Sequence, residues 1–150
     1  MLAFFISTVQ ADGLYVGFCN GQIGASGEGI SGSHLTISEA TFLKPSDLAS
    51  YSKQSITAIN AGLVQKAASY PDSLTVWVRA SRDGENLASG KASAVGGWNF
   101  VSLDKSIALD KYASTGLGIG FSFAQTTKKN VIAFLPNPNG LTDCGWLAKN

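Results

Sequence analysis

The feature that most constrains the fold is an alternation of apolar and polar residues in the second half of the chain. In the segment 74–79, LTVWVR, every second residue is aliphatic, and the segments 98–103 and 117–123 alternate in the same way. The pair Asp83-Gly84 separates the first of these segments from the next apolar run. Alternation with a period of two is typical of strands that bury one face, and Asp-Gly between two such runs predicts a β-hairpin. The sequence therefore predicts an antiparallel β-sheet in this region.

The composition fits a β domain that carries little charge. Charged residues make up only 14% of the 150 residues, and the net charge is +1. A helical protein has more Glu, Lys and Arg on its outer faces, whereas 17 glycines suit a chain with many turns. Because the sequence has no basic patch, we expect no nucleic-acid partner. A chain of this length forms one domain and buries about 70% of the surface that its unfolded form exposes.

The N-terminal segment, residues 1–11, has two interpretations. It is apolar and ends in the letters VQA, a small-x-small pattern typical of signal-peptidase sites, but it lacks a basic start. On this interpretation residues 1–11 are the remnant of a signal peptide, and residues 12–150 form a single β-sandwich module. The alternative is a first β-strand, because residues 5, 7 and 9 alternate with residues 6, 8 and 10. No other apolar run approaches the roughly 20 residues of a membrane span, so none is expected.

The rest of the chain adds short strands and one short helix. Pro45 and Asp47 are typical of the start of a helix. The backbone N–H that proline lacks has no helical partner in the first turn, and the positive end of the helix dipole stabilises an acidic side chain there. We expect this helix near residues 45–52. Many short strands must bury one face against a second sheet, which predicts an all-β jelly-roll or Greek-key β-sandwich. The further strands are expected at 14–19, 34–42, 55–64, 131–135 and 144–147.

Several apparent catalytic motifs lack the context that their chemistry requires. The segment 27–32, GEGISG, matches the dinucleotide pattern GxGxxG, but it precedes a strand instead of opening a helix. The single histidine, His34, lies in a predicted strand, and the sequence has no GxSxG elbow. Most acidic residues lie in turns, which leaves Glu28 and Glu39 as candidate glycosidase carboxylates. We therefore expect no catalytic site and no enzyme, with a glycoside-active enzyme as an alternative.

The two cysteines, Cys19 and Cys144, lie near opposite ends of the chain. This separation fits no zinc, iron–sulfur or CxxC redox site, so we expect no metal site built on them. In an exported protein they would either form a disulfide or remain two separate buried thiols.

The aromatic residues are the remaining indication of function. Three Trp and four Tyr would either form an exposed platform on which sugar rings stack or pack in the core. If the aliphatic residues of the first alternating segment face the core, Trp77 and Arg79 face outward. We therefore expect these two residues, together with Tyr112, to contact a ligand. In the next alternating segment, Trp98 falls on the same side as Phe100.

Four segments carry a resemblance to a known family. They are 74–79, LTVWVR; 83–87, DGENL; 97–103, GWNFVSL; and 117–123, LGIGFSF. In this order they resemble the jelly-roll modules of secreted Bacteroidetes proteins, including the cleaved-adhesin domains of gingipain-type haemagglutinins. That family has a strand V-x-V-W, a turn, G-W-N-x-V-x-L and then L-x-I-G-Y, and this chain differs in having Phe121 where tyrosine is usual. The segment 15–21 and the short helix after Lys44 also resemble the start of such modules, so the resemblance covers most of residues 14–147.

The resemblance implies a non-catalytic module, secreted or at the cell surface, that serves adhesion by binding glycans or host proteins. It also implies neighbouring domains of a larger surface protein and, in some members, structural calcium. No calcium-ligand set matches in this chain, so no cofactor is assigned. The alternative is a structural or pro-region-like module that packs against an associated peptidase or surface protein. These motifs are core and turn patterns, which specify a fold better than a ligand.

Overall fold

The structure, a computed structural model, describes residues 2–7, 14–17, 27–28, 35–63, 70–81, 83–125, 132–133 and 146–149, with side chains for 36–63, 70–81 and 83–124. Within these residues the chain forms one α-helix, α1 (Pro45–Leu48), and two 3-10 helices, Ala49–Tyr51 and Leu109–Tyr112. The described strands are β1 (Leu2–Ser7), β2 (Leu14–Gly17), β3 (Gly27–Glu28), β4 (Leu35–Leu43), β5 (Ser55–Leu63), β6 (Ser73–Arg79), β7 (Asn86–Ser93), β8 (Gly97–Ala108), β9 (Leu117–Gln125), β10 (Ile132–Ala133) and β11 (Trp146–Lys149).

These strands form two antiparallel sheets, which we name after their central strands. The β5 sheet has the order β2-β1-β5-β10-β3, and β8 also pairs with β5. The β9 sheet has the order β11-β4-β9-β6-β7. Between β4 and β9 the chain crosses repeatedly from one sheet to the other, so that β9 lies between β4 and β6. Such crossing connections are those of a Greek-key sandwich, and the predicted fold class is confirmed.

The core lies between the two sheets and consists mainly of aliphatic side chains. The predicted inward residues of β6 are fully buried and belong to one hydrophobic cluster with residues of β5 and β9. Because each strand turns alternate residues to the core, the residues between them form the outer faces of the sandwich. Members of the cluster include Ile59, Ala61, Leu63, Leu74, Val76, Val78, Val101, Ile119 and Phe121.

The predicted short helix is confirmed at its expected place. Pro45 opens α1, and the backbone N–H of Lys44 donates a hydrogen bond to Asp47 Oδ2 over 2.8 Å. The first turn is thus held by the proline and the acidic residue that predicted it. Leu48 is fully buried and anchors the helix to the core, and the 3-10 helix Ala49–Tyr51 completes the second turn.

The strands β7 and β8 lie side by side where the two sheets meet. A Cβ on Gly90 of β7 would collide with the carbonyl oxygen of Ser102 in β8, so only glycine permits this approach. The backbone N–H of Ser89 also donates a hydrogen bond to Asp104 Oδ1 over 3.0 Å. This contact closes one side of the sandwich and fixes β8 at its corner.

The strand β8 and the N-terminal segment are two of the places where the structure differs from the sequence prediction or decides between its alternatives. The strand β8 continues to Ala108, beyond the predicted end at residue 103, through the polar run Asp104-Lys105-Ser106. Its pairing with β5 shifts register in this run, so the polar residues need not alternate. Residues Leu2–Ser7 form β1, paired with β2 and β5, as the strand interpretation of the N-terminus predicts.

The interpretation of residues 1–11 as a signal remnant stays a prediction. The cysteines Cys19 and Cys144 and the histidine His34 lie outside the described residues. In the part of the chain that the structure describes, no helix has the length and apolar character needed to cross a bilayer.

Candidate functional site

The structure places Trp77 on the predicted face but does not expose it. The residue pairs with Ser89 and Gly120 across β7 and β9, on the outer side of the β9 sheet together with Thr75 and Arg79. Its side chain is nevertheless only 2% exposed. The prediction of an exposed Trp77 ring is therefore wrong.

Small residues on β9 explain why an outward tryptophan is buried. The indole lies over Gly120, where an added Cβ would be 2.5 Å from Trp77 Cη2. The indole Nε1–H donates a hydrogen bond to Ser122 Oγ over 2.9 Å, and Ser122 Oγ shares a further hydrogen bond with Ser38 Oγ at 2.8 Å. The polar end of the ring is thus satisfied within the protein, and its apolar part covers the glycine.

Arg79 covers the Trp77 ring and closes this surface. Its guanidinium carbon lies 4.0 Å from the ring centroid, a cation–π contact, and its Nε donates a hydrogen bond to Asn86 Oδ1 over 2.8 Å. Tyr112 lies on a different element, the 3-10 helix Leu109–Tyr112, where it is half-buried and packs against the hydrophobic core. The structure thus brings Trp77 and Arg79 together as a packed pair, whereas Tyr112 lies apart from them and packs against the core.

Phe42 of β4, in the β9 sheet, is 37% exposed, but the most exposed aromatic residue of the described chain lies on the other side of the sandwich. Phe100, near the start of β8, is 56% exposed, and Trp98 on the same side is half-buried. The strand register pairs Phe100 with Asn60 of β5, and Trp98 with Gly62. We name this surface the aromatic face and define it by six residues: Trp98, Phe100 and Ser102 of β8, and Ala58, Asn60 and Gly62 of β5.

The inward residue Asn99 holds the two aromatic residues outward. Asn99 is buried, and its Oδ1 accepts a hydrogen bond from the backbone N–H of Val95 over 2.9 Å. Its Nδ2 lies 2.9 Å from the carbonyl oxygen of Val95, 3.1 Å from that of Gly97 and 3.3 Å from that of Ala61. These bonds fix the turn that leads into β8, whose first residue, Gly97, has a φ of +94°. Because Asn99 cannot leave the interior, its neighbours in β8 face solvent.

Asn60 supplies the polar centre of the aromatic face. Its residue is half-buried, and its Oδ1 is buried with no hydrogen-bond partner. Leaving a buried acceptor unpaired costs about 1–3 kcal/mol, so native proteins seldom retain one. The five other residues of the face are aromatic, small or a serine, so the face carries no charge.

The arrangement is suited to binding and not to acid–base chemistry. Aromatic rings offer flat apolar surface for stacking, and an amide offers a donor and an acceptor for orientation. No carboxylate, imidazole or thiol lies among the six residues of the face. Small-molecule sites commonly combine aromatic side chains with a few polar groups in this way.

The candidate carboxylates of the sequence analysis lie apart from this face and from each other. Glu28 lies in β3 of the β5 sheet, where it pairs with Ile132. Glu39 lies in β4 of the β9 sheet, pairs with Phe121 and is half-buried. The structure thus places the two residues in different sheets, and the role proposed for them together stays a prediction. Among the described residues, no group of three His, Cys, Asp or Glu side chains could hold a metal ion.

Alternation in 98–103 predicts Trp98 on the side of Phe100, whereas the segment 74–79 favours Trp77 as the ligand contact. The signal that could have reversed this choice is the spacing of small residues in 117–123, because Gly118 and Gly120 leave space for a neighbouring ring.

Comparisons of the chain with protein-family models, with curated proteins and with solved structures find no match. The resemblance to cleaved-adhesin modules therefore stays a prediction.

Proposed function

We propose that this protein is a non-catalytic extracellular module that binds neutral glycans on its aromatic face. The observation that carries the proposal is the 56% exposure of Phe100 beside Trp98, on a strand whose partner β5 carries Asn60 opposite Phe100. An exposed phenylalanine on a strand leaves apolar surface in water, and a bound ligand that covered this surface would gain hydrophobic free energy. A sugar ring meets both parts of the surface, because its C–H groups stack on aromatic rings and its hydroxyls bond to amides.

The lack of charge favours a neutral sugar over other ligands that stack on aromatic rings. Single-stranded nucleic acids stack on such rings as well, but their binding surfaces combine aromatic rings with a positively charged groove. The aromatic face has no basic residue, and the whole chain has a net charge of +1. An anionic ligand would therefore find no opposite charge on the aromatic face. An uncharged, hydroxylated ring does not need one to bind.

The size of the face predicts weak binding. Fully burying a phenylalanine side chain contributes about 1.5–3 kcal/mol, and Phe100 has roughly half of its surface left to bury, which gives about 1 kcal/mol. Two such rings and one hydrogen bond contribute about 3 kcal/mol in total, so the dissociation constant of a single site is on the order of 10 mM or weaker. Adhesion by this module would therefore rely on several copies or on neighbouring domains.

A glycan array followed by calorimetry on the best ligand tests the proposal. We expect Phe100→Ala and Trp98→Ala each to weaken binding about fivefold or more, because each removes stacking surface. Val95→Ala is the matched control: Val95 is 54% exposed and lies in the turn before β8, outside the aromatic face. Its backbone bonds to Asn99 survive the change, so binding should equal that of the unaltered protein. No binding to any glycan, or equal losses in all three variants, would contradict the proposal.

The second candidate function is a structural module whose exposed side chains pack against another domain. The exposure of both Val95 and Phe100 favours it, since these residues are close in sequence and apolar. This function predicts that Val95→Ala and Phe100→Ala weaken attachment to the adjoining domain equally and that no sugar competes. The effect of Val95→Ala therefore separates the two candidates.

A further inference from the structure

The two rings of the aromatic face lie in line along a single strand. Trp98 and Phe100 are two positions apart on the same side of β8. Because residues on one side of a strand recur at every second position, their Cα atoms lie about 7 Å apart. This separation is comparable with the length of one sugar unit in an extended chain. Two consecutive sugars of one chain can therefore each lie against one ring.

The exposed outer side of β8 continues beyond both rings. After Phe100, the next residue on the same side is Ser102, which is exposed, and residues 104–106 are exposed as well. Before the first ring, Gly97 has no side chain, and Val95 is 54% exposed. The side chains of β8 therefore leave the row of rings open at both ends.

The strand beside the rings adds no wall either. The partners of Trp98 and Ser102 on β5 are Gly62 and Ala58, which are the smallest residues that a strand can carry. A site that recognises the end of a glycan is a concave pocket that buries most of the sugar surface. An open row of rings instead contacts one surface of each sugar and leaves the chain free to continue in both directions.

We infer that the aromatic face binds a stretch of at least two consecutive sugars within a linear glycan and does not recognise a single terminal sugar. This inference rests on the proposed function and deepens it, because it names the class of glycan. The second ring adds contact without a second loss of translational freedom, since the two sugars are joined. Affinity should therefore rise about fivefold from one sugar to two, and more slowly beyond two, because the face has two rings.

Nuclear magnetic resonance titrations with linear neutral sugars of one to six units test the inference. The probes are three series, built from β-1,4-linked glucose, α-1,4-linked glucose and β-1,4-linked mannose. In each series that binds, we expect the disaccharide to bind about fivefold more tightly than the monosaccharide. Phe100→Ala and Trp98→Ala should each abolish this increase, because the one remaining ring contacts one sugar.

Ser102→Tyr is a second test, because it adds a third ring to the open row. The position is exposed, and tyrosine is favoured in strands. The new ring should strengthen binding of chains of three or more sugars about fivefold and leave binding of the monosaccharide nearly unchanged. The matched control is Ser93→Tyr, the same change at an exposed position of β7 in the β9 sheet, which should leave all affinities unchanged.

The outcomes separate the inference from the proposed function. Equal affinities for monosaccharide and longer chains in every series that binds, or no gain for the chains in folded Ser102→Tyr, would overturn the inference and leave the proposed function standing. Binding on the array to branched or terminal sugars alone, with none of the three series bound, would do the same. The length series needs no variant, so it decides the question even if Ser102→Tyr does not fold. Failure to bind any glycan would overturn the proposed function itself.

Discussion

The packing of Trp77 predicts that two glycines on the same strand respond very differently to alanine. An added Cβ at Gly120 would lie 2.5 Å from Trp77 Cη2 and 2.6 Å from the carbonyl oxygen of Glu39. The indole must then move away, and the backbone of β4 has little freedom to follow. An added Cβ at Gly118 would meet nothing closer than the carbonyl oxygen of Arg79 at 3.6 Å, an ordinary contact.

The cost of Gly120→Ala follows from the contacts that the indole loses. Overpacking of this kind costs about 1–3 kcal/mol. Displacing the ring also breaks the 2.9 Å hydrogen bond to Ser122 Oγ, which contributes about 1 kcal/mol, and the contact with Arg79, which contributes about 0.5–1 kcal/mol. We expect the free energy of unfolding to fall by about 3 kcal/mol, or the melting temperature by roughly 6–12 °C.

Gly118→Ala is the matched control, because it makes the same chemical change two residues away on the same strand. It should change the free energy of unfolding by less than about 1 kcal/mol and could raise it, since glycine weakens a strand interior. Urea denaturation followed by far-ultraviolet circular dichroism measures both variants. Equal denaturation midpoints for the two variants would refute the placement of the indole over Gly120.

Three further changes test other parts of the fold, each by urea denaturation. Asn99→Ala should lower the free energy of unfolding by about 2–3 kcal/mol because the N–H of Val95 loses its acceptor, and an unchanged midpoint would contradict that role. Gly116→Ala should cost about 1–3 kcal/mol, since φ is +82° and the new Cβ would lie 2.6 Å from the Leu43 oxygen; a stabilised variant would contradict this geometry. Leu48→Ala should cost about 2–5 kcal/mol through the cavity it leaves in the core, and a loss below 1 kcal/mol would argue against that burial.

The two outer faces of the sandwich differ in how their aromatic residues are satisfied. On the β9 sheet, the indole of Trp77 donates to Ser122 and is covered by Arg79, so the ring is part of the folded structure. On the β5 sheet, Phe100 remains 56% exposed and Asn60 Oδ1 has no partner. A packed ring contributes to stability, whereas an exposed ring is suited to contact with a partner.

The strands and the helix were predictable from local patterns, because residues close in the sequence determine where a strand or a helix forms. Alternation in 74–79 corresponds to β6, and Pro45 with Asp47 marks the start of α1. The burial of Trp77 was not predictable in this way, because it depends on Ser122, which is 45 positions away. Alternation identifies the side of a sheet on which a residue lies, but the neighbouring strand determines whether that side is open.

The candidate site, too, was only partly predictable from local sequence patterns. Trp98 and Phe100 were expected on one side of their strand, and they are. That Asn60 lies beside Phe100 follows from the pairing of β5 with β8, which no pattern within either segment specifies. The buried amide of Asn99 at an inward position also departs from simple alternation, since its partners are backbone groups of the preceding turn and of β5.

The measurement that tests the central claim most directly is a nuclear magnetic resonance titration of the unaltered protein with the neutral glycan that binds best on the array. The chain has three tryptophans, so its indole N–H signals are few and can be assigned with Trp98→Phe and Trp77→Phe. We predict that the Trp98 indole signal and the backbone amides of residues 58–62 and 98–102 shift, while the Trp77 indole signal stays in place. A shift of the Trp77 signal with an unchanged Trp98 signal would contradict the account.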